Sequence, residues 1–154
     1  MATTSSAAGE LASRRSRIGA MVIDFMLTNI VLFILTVLIT FLFRDMVESV
    51  VADLGSLFFL GAHLYIVIGH VGYHVILEGL FGTTIGKKAA SIRVVDESGG
   101  QISMGKSAIR NVFRFIDVLP VLPVWYVIGY LLIAVSDDEQ RLGDMAANSY
   151  VVKE

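Results

Sequence analysis

An almost unbroken apolar run from residue 18 to residue 43 constrains this chain more than any other feature. At about 1.5 Å per residue, a helix of this length crosses the roughly 30 Å hydrocarbon core of a bilayer. Asp24 interrupts the run, seven positions after Arg17. A carboxylate within a span costs about 2.5–3.5 kcal/mol on insertion scales, so it needs a partner, a proton or a water-filled cavity. The run therefore predicts a membrane protein with an internal polar site.

The composition of the whole chain supports this class. Hydrophobic residues make up 55% of the 154 residues and charged residues only 17%, whereas soluble domains carry about 25% charged residues. The formal net charge of −2, without basic runs interleaved with aromatic residues, argues against a nucleic-acid partner. Because cysteine is absent, disulfides, thiolate metal sites and a cysteine nucleophile are excluded.

The apolar segments predict an all-α membrane protein with three membrane-embedded helices and a short amphipathic helix. Since Pro120 and Pro123 break the third apolar region, helices are expected at about 17–43, 54–78, 106–118 and 121–136. Alternating patterns predict a small cytoplasmic β-hairpin or three-stranded sheet, with strands at about 91–96, 101–103 and 149–153. Residues 1–16 are expected to form a disordered tail before one membrane domain at 17–154.

The basic residues predict the orientation. Arginines precede the first helix, and the 79–106 loop is rich in lysine and arginine, whereas the loop between the first two helices is mainly acidic. By the positive-inside rule, the N-terminus and the 79–106 loop are cytoplasmic, which suits a protein of the cell membrane. Two positions stay open for the C-terminus. A third full span places residues 136–154 outside, whereas a segment that dips in and returns lets the last strand join the cytoplasmic hairpin. We favour the second arrangement.

Four polar residues of the second apolar segment share one helical stripe: His63, His70, His74 and Glu78. The stripe has three interpretations, namely a packing face, a proton or ion relay, and a metal site with His70 and His74 as candidate ligands. The convergent ligand set of a zinc site is not visible. The sequence therefore predicts no metal and no cofactor.

The predicted amphipathic helix has a charged face formed by Lys106, Arg110, Arg114 and Asp117. This face either rests on anionic headgroups or turns inward and supplies the countercharge of Asp24. Arg17 shares a face with Asp24 but lies roughly 10 Å away along the axis, so it is not an easy direct partner.

The segment from residue 82 to residue 88 invites comparison with a phosphate-binding loop. That motif needs a glycine where Phe81 stands and a hydroxyl residue where Lys88 stands, so the spacing fails. We expect instead a turn at the membrane surface, formed by Gly82, Thr84, Gly86 and Lys87.

Several segments together resemble the RDD family of membrane proteins, which is named for one arginine and two aspartates. The resemblance covers about residues 14–152 and rests on Arg17 with Asp24, Glu78-Gly79, GTTIGKK at 82–88, SIRVVDESGG at 91–100, AIRNVFRFIDVLP at 108–120 and QRLGDMAANSYVV at 140–152. It implies that Arg17 and Asp24 are the arginine and the first aspartate, and that Asp144 is the second, with Asp117 as the alternative. It also implies an integral membrane protein, for which transport is the suggested activity.

Two features depart from the family pattern. Ala147-Asn148-Ser149 replaces the usual ending of a small residue, glycine and threonine, and the three histidines are not part of the pattern.

Together these features predict a small oligomeric transporter of cations or protons in the lipid bilayer. Its charge network would comprise Arg17, Asp24, Glu78, Arg110, Arg114, Asp117 and Asp144. The alternative is a non-transporting scaffold or assembly subunit, whose charges hold helices together or bind another membrane protein. No enzyme activity is expected, because no serine or threonine nucleophile has an evident base in a recognisable motif.

Overall fold

The computed structural model describes residues 9–113 and 140–154. Within these two ranges the chain forms helices and a small sheet in the order α1 (Arg14–Leu42), α2 (Arg44–Leu54), α3 (Ser56–Phe81), α4 (Ile85–Ala89), β1 (Ile92–Asp96), α5 (Met104–Val112), α6 (Leu142–Ala146) and β2 (Ser149–Lys153). Two of these helices, α1 with 29 residues and α3 with 26, are long and apolar enough to cross a membrane. The described residues therefore show two candidate spans where the sequence predicts three. The predicted helix at 121–136 lies outside them.

Helices α1 and α3 form a hairpin that is packed in only one half. The buried residues of α1 recur every three or four positions up to Leu32, and those of α3 begin at Val67. A Cβ added to Gly69 would lie 2.7 Å from a methyl group of Leu32, so the two helices touch closely at this level. No residue from 33 to 66 is buried. The far half of the hairpin thus presents apolar side chains outward, as helices in lipid do.

A serine cap begins the first helix of the hairpin, and a glycine ends the second. Ser13 caps α1, its hydroxyl accepting a hydrogen bond from the Ser16 amide at 3.2 Å. Gly82 ends α3 with a φ of +69°, the left-handed conformation that glycine adopts without strain. Its carbonyl then accepts a hydrogen bond from Val94 at 2.7 Å, which joins the end of α3 to β1.

The small sheet pairs distant parts of the chain. β1 and β2 are antiparallel, with Val94 opposite Val151. The predicted strand at 101–103 is reduced to a single bridge between Val95 and Gln101. The reason is that Val94 already donates to Gly82, so the edge of β1 that a third strand would need is occupied. The sheet of the described residues is therefore two-stranded, with the predicted C-terminal strand paired to β1 as in the favoured arrangement.

A tight turn follows β1. The Asp96 carboxylate accepts hydrogen bonds from the Ser98 hydroxyl, the Ser98 amide and the Gly100 amide, at 2.6, 2.9 and 3.0 Å. These bonds, above all that of the Ser98 side chain, hold the pKa of Asp96 below its usual value. The Gly-Gly signal thus forms a turn as predicted from sequence, but the chain after it does not return as a strand.

Leu11 and Ala12 pack into the folded core, although the sequence predicts residues 1–16 to be a disordered tail. Leu11 forms a bridge with Val152, and the Ala12 amide donates to the Val151 carbonyl at 2.9 Å. Ala12 is fully buried, together with Ile92 and Val94. The N-terminal segment therefore covers β2, which keeps the N-terminus, β1 and the C-terminal strand at one end of the hairpin.

The sequence also misplaces or misses the shorter helices. The predicted amphipathic helix at 106–118 begins earlier, at Met104, after the cap residue Ser103, and its described part ends at Val112. Helices α2, α4 and α6 are not predicted: α4 and α6 have only 5 residues each, too few to show periodicity, and α2 lies in the segment expected to be the loop between the first two spans.

The topology gives a first prediction. Because the natural chain lacks cysteine, single variants Ser98→Cys, Lys153→Cys and Asp53→Cys are each labelled at one position. We expect Ser98→Cys and Lys153→Cys to react with a membrane-impermeant maleimide from the same side of the membrane, and Asp53→Cys from the other. Labelling of residues 98 and 153 from opposite sides would contradict the β1–β2 pairing.

Candidate functional site

Buried ionisable side chains gather at the end of the hairpin that carries the sheet. Among the described residues, eight such side chains are at most 6% exposed: Arg17, Asp24, His70, His74, Glu78, Lys87, Arg110 and Asp144. They come from five helices, and we call them the charge cluster. Three are acidic and three are basic, so their formal charges cancel when the histidines are neutral. Such a balance suits a region of low dielectric constant, where an unmatched charge is costly.

Asp24 is held by uncharged donors. Its Oδ1 accepts hydrogen bonds from the Tyr73 hydroxyl and the Gly86 amide, both at 2.7 Å, and its Oδ2 accepts from the Thr84 hydroxyl at 2.6 Å. The predicted source of a countercharge, Arg110, instead contacts Glu78 and Asp144. Hydrogen bonds to the charged form of a carboxylate stabilise it. Three uncharged donors therefore stabilise the Asp24 carboxylate, whereas an arginine of the amphipathic helix was one of the predicted partners.

Gly86 allows this contact. A Cβ at this position would lie 2.2 Å from the Ala20 carbonyl oxygen and 2.8 Å from Oδ1 of Asp24. Thr84 accepts a hydrogen bond from the Lys87 amide at 3.2 Å and so caps the first turn of α4. The segment predicted to be a surface turn thus lies against α1, and Gly86 is there because no larger residue fits.

Glu78 connects three helices and is completely buried. Its Oε1 forms an ion pair with the Lys87 ammonium, and Nδ1 of His74 lies 3.4 Å from the same oxygen. Its Oε2 lies 3.0 Å from Nε of Arg110 and accepts a hydrogen bond from the side-chain amide of Asn111 at 3.0 Å. Lys87, predicted to reach the membrane surface, is therefore a buried partner of Glu78.

Arg110 extends the network to the C-terminal helix. Its NH1 lies 2.9 Å from Oδ1 of Asp144 and donates to the Ser149 hydroxyl at 3.2 Å. Close packing supports this contact, since a Cβ on Gly143 would lie 2.2 Å from the Arg110 carbonyl oxygen. Asp144, Arg110, Glu78 and Lys87 therefore form one continuous chain of ion pairs.

Arg17 joins α1 to the sheet. Its guanidinium donates to the Ala12 and Val151 carbonyls at 3.1 and 3.3 Å. Arg17 and Asp24 line the same cavity, together with His74, Lys87, Arg110 and Arg141 and the apolar side chains of Met21, Ile92 and Val151. The cavity measures about 20 Å³, which is room for about one water molecule.

The histidines divide between two environments. His74 belongs to the cluster through Glu78, and its ring meets that of Tyr73 edge-on at 5.0 Å. His70 lies deeper in the hairpin, with Nε2 at 3.2 Å from the Asn29 amide nitrogen and its ring stacked on Phe25 at 5.4 Å. His63 is only half-buried. Within the described ranges, no three histidine, cysteine or acidic residues are placed to hold a metal ion.

The cluster lies at the end of the apolar spans. From residue 25 to the end of α1 there are 18 residues, about 27 Å of helix. The part of α3 before Tyr73 has 17 residues, about 26 Å. These lengths match the roughly 30 Å of a hydrocarbon core. Asp24 therefore lies at the end of a stretch of α1 that is long enough to cross most of such a core.

Sequence reasoning missed Tyr73 and Asn111 as members of the site, and it placed Thr84 only in a surface turn. Tyr73, Thr84 and Asn111 each donate to a cluster carboxylate. Of these three, only Thr84 had a recognisable role in the sequence, because a hydroxyl residue just before a short helix is typical of an N-cap. Arg114 and Asp117, predicted to belong to the network, lie outside the described residues.

Replacing Gly86 by alanine is expected to displace Asp24 or α4 and to lower the free energy of unfolding by about 1–3 kcal/mol, as overpacking does. Gly105→Ala is a matched control. Gly105 also follows a hydroxyl cap residue at the second position of a helix, but its nearest neighbour to a new Cβ is 3.9 Å away. Thermal unfolding in detergent measures both variants. Equal effects would contradict the close contact between α4 and α1.

Glu78→Gln is expected to destabilise the protein by about 3–5 kcal/mol, because it removes the buried negative charge that pairs with both Lys87 and Arg110. The control is Glu48→Gln, which removes the exposed Arg44–Glu48 pair and should cost at most about 1 kcal/mol. The same unfolding measurement compares them. A Glu78→Gln loss no larger than that of the control would show that the ion-pair chain does not hold the helices.

Comparison with known proteins agrees with this geometry. The model of the RDD family matches residues 11–148. The uncharacterised protein YckC of Bacillus subtilis (strain 168) is 26% identical over 136 residues, which cover 88% of this chain and 80% of YckC. No solved structure matches the chain. The family match spans the hairpin, β1 and the whole charge cluster, so this chain belongs to the RDD family.

Proposed function

We propose that this protein is a membrane transporter of small cations or protons, and that the charge cluster is its ion-handling site. The membrane class follows from the family and from the two apolar helices. The observation that carries the proposal is the position of Asp24. It is 1% exposed, it is bound by neutral donors, and it lines a cavity at the border of the apolar spans.

The cost of the cluster supports a role in handling charge. Burying an ion pair costs several kcal/mol per ion in desolvation, and well-packed apolar residues often hold helices together at least as stably. If the eight buried groups of the charge cluster only held helices together, apolar residues could do so at a lower cost in desolvation. Ionisable residues in membrane proteins commonly mark ion and proton pathways.

The geometry suggests how Asp24 would work. The Tyr73 and Thr84 hydroxyls can rotate away from the carboxylate, which then offers two oxygens to a cation or accepts a proton. A carboxylate that alternates between a proton and a cation couples their movement in opposite directions. His74, beside Glu78, is a second group that can exchange a proton near neutral pH. A cavity of about 20 Å³ admits only a small ion or water.

The two candidate spans found in the described ranges enclose no pathway by themselves, so the proposal includes an oligomer. The exposed apolar residues of the far half of the hairpin are available to lipid and to further copies. The arginines before α1 and the basic 79–106 loop support a cytoplasmic N-terminus in the cell membrane. In that orientation the cluster faces the cytoplasm.

A vesicle assay tests the proposal. We expect purified protein in vesicles to move protons, reported by an internal pH dye, when a sodium or potassium gradient is applied. Asp24→Asn removes the titratable group at nearly unchanged size, so the flux should fall to that of empty vesicles. The matched control is Asp53→Asn, an aspartate-to-asparagine change at an exposed position in α2, which should leave the flux unchanged.

A second candidate is a non-transporting assembly subunit. The observation that favours it is that Glu78 and Arg110 each contact oppositely charged partners on two neighbouring elements. Under this alternative the natural protein shows no flux, and Asp24→Asn changes the oligomeric state seen by size-exclusion chromatography with light scattering. Flux in the natural protein that Asp24→Asn abolishes, with the oligomer intact, would contradict it.

A further inference from the structure

Helix α2 connects the far ends of the two spans. Only Phe43 separates it from α1, and only Gly55 separates it from α3. Since adjacent Cα atoms are about 3.8 Å apart, these joints cannot carry α2 away from the membrane surface. The backbone at both joints departs from helical geometry, with Gly55 at a φ of +52°. α2 is therefore a separate helix held at the level where α1 and α3 end.

The surface of α2 is divided into two faces. At 100° per residue, its apolar residues fall within an arc of about 140°: Met46, Val47, Val50, Val51 and Leu54. The opposite arc carries the charged residues, of which Arg44 and Glu48 form an exposed ion pair. No residue of α2 is buried, and Met46 and Leu54 are 58% and 45% exposed. The residues at 9–113 and 140–154 thus leave this apolar face uncovered.

We propose that the apolar face of α2 lies in the lipid interface of the bilayer leaflet opposite the charge cluster. The exposed apolar surface of α2 continues directly from the exposed surfaces of α1 and α3, which lipid covers in a spanning hairpin. An amphipathic helix at this level buries its apolar face about 5–10 Å into the boundary between headgroups and acyl chains. In this position the apolar face contacts acyl chains and the charged arc contacts water.

The charges of α2 select the lipid. Its polar arc carries Asp45, Glu48 and Asp53 against Arg44 alone. This excess of acidic groups is repelled by anionic headgroups, in contrast to the basic helices that bind them. The helix therefore suits a zwitterionic surface such as phosphatidylcholine. This assignment does not depend on transport, because it follows from the tethering and from the two faces.

Single-cysteine variants of the full chain test the assignment. Val50→Cys places a fluorescent NBD label on the apolar face, and Ala52→Cys places it two residues away on the polar face. In phosphatidylcholine vesicles, we expect nitroxide-labelled lipids to quench the label at residue 50 severalfold more strongly than at residue 52. The emission at residue 50 should also be shifted to the blue.

A second pair, Met46→Cys and Glu48→Cys, repeats the comparison if one variant of the first pair does not fold. Equal quenching on both faces would overturn the proposal. Disulfide cross-linking between copies at residue 50, with weak lipid quenching there, would overturn it as well, because a second copy would then cover the face. An increase in quenching at residue 50 on addition of anionic lipid would refute the zwitterionic preference.

Discussion

The buried carboxylate of Glu78 is the interaction on which the rest of the structure depends. It ends the second span, and it is completely buried where α3, α4 and α5 meet. Without it, Lys87 would lose its ion pair with Glu78, and Arg110 would keep only Asp144 of its two carboxylates, so the buried charges would no longer balance. Through Arg110 the same carboxylate reaches Asp144 and so fixes α6 and the C-terminal strand. One acidic group thus connects the membrane hairpin to the small sheet.

Asp24 makes the complementary connection with hydrogen bonds in place of an ion pair. It holds the segment after α3 against α1, and Gly86 makes that approach possible. Arg17 then binds carbonyl groups of the N-terminal segment and of β2. The polar residues therefore lie in a layer at the border of the apolar spans, where the field of a charge is screened less than in water. Such a layer suits both ion handling and rigid assembly. Its geometry therefore does not choose between the two functions, whereas a flux measurement does.

Much of the architecture was predictable from local pattern. The two apolar runs define α1 and α3, and the alternating SIRVVD and SYVVK segments define β1 and β2. Arg17, Asp24, Glu78, Arg110 and Asp144 were each identified as site residues, and all five belong to the charge cluster. The partners were not predictable, because helical periodicity relates residues of one helix and says nothing about other elements. Lys87 looks like a surface residue until α4 is seen packed against α1.

The sequence by itself determined the class of protein, the two spans, the strands and the identity of the charged residues. These follow from hydropathy and spacing, which are properties of neighbouring residues. The tertiary structure decided between the two arrangements left open for the C-terminal strand, since β2 pairs with β1, and it added Leu11 and Ala12 to the core. It also decided that Asp24 is satisfied by neutral donors, whereas Glu78 takes the cations. The physical reason is that a buried charge is stabilised by whichever donors the packing of distant segments brings within about 3 Å.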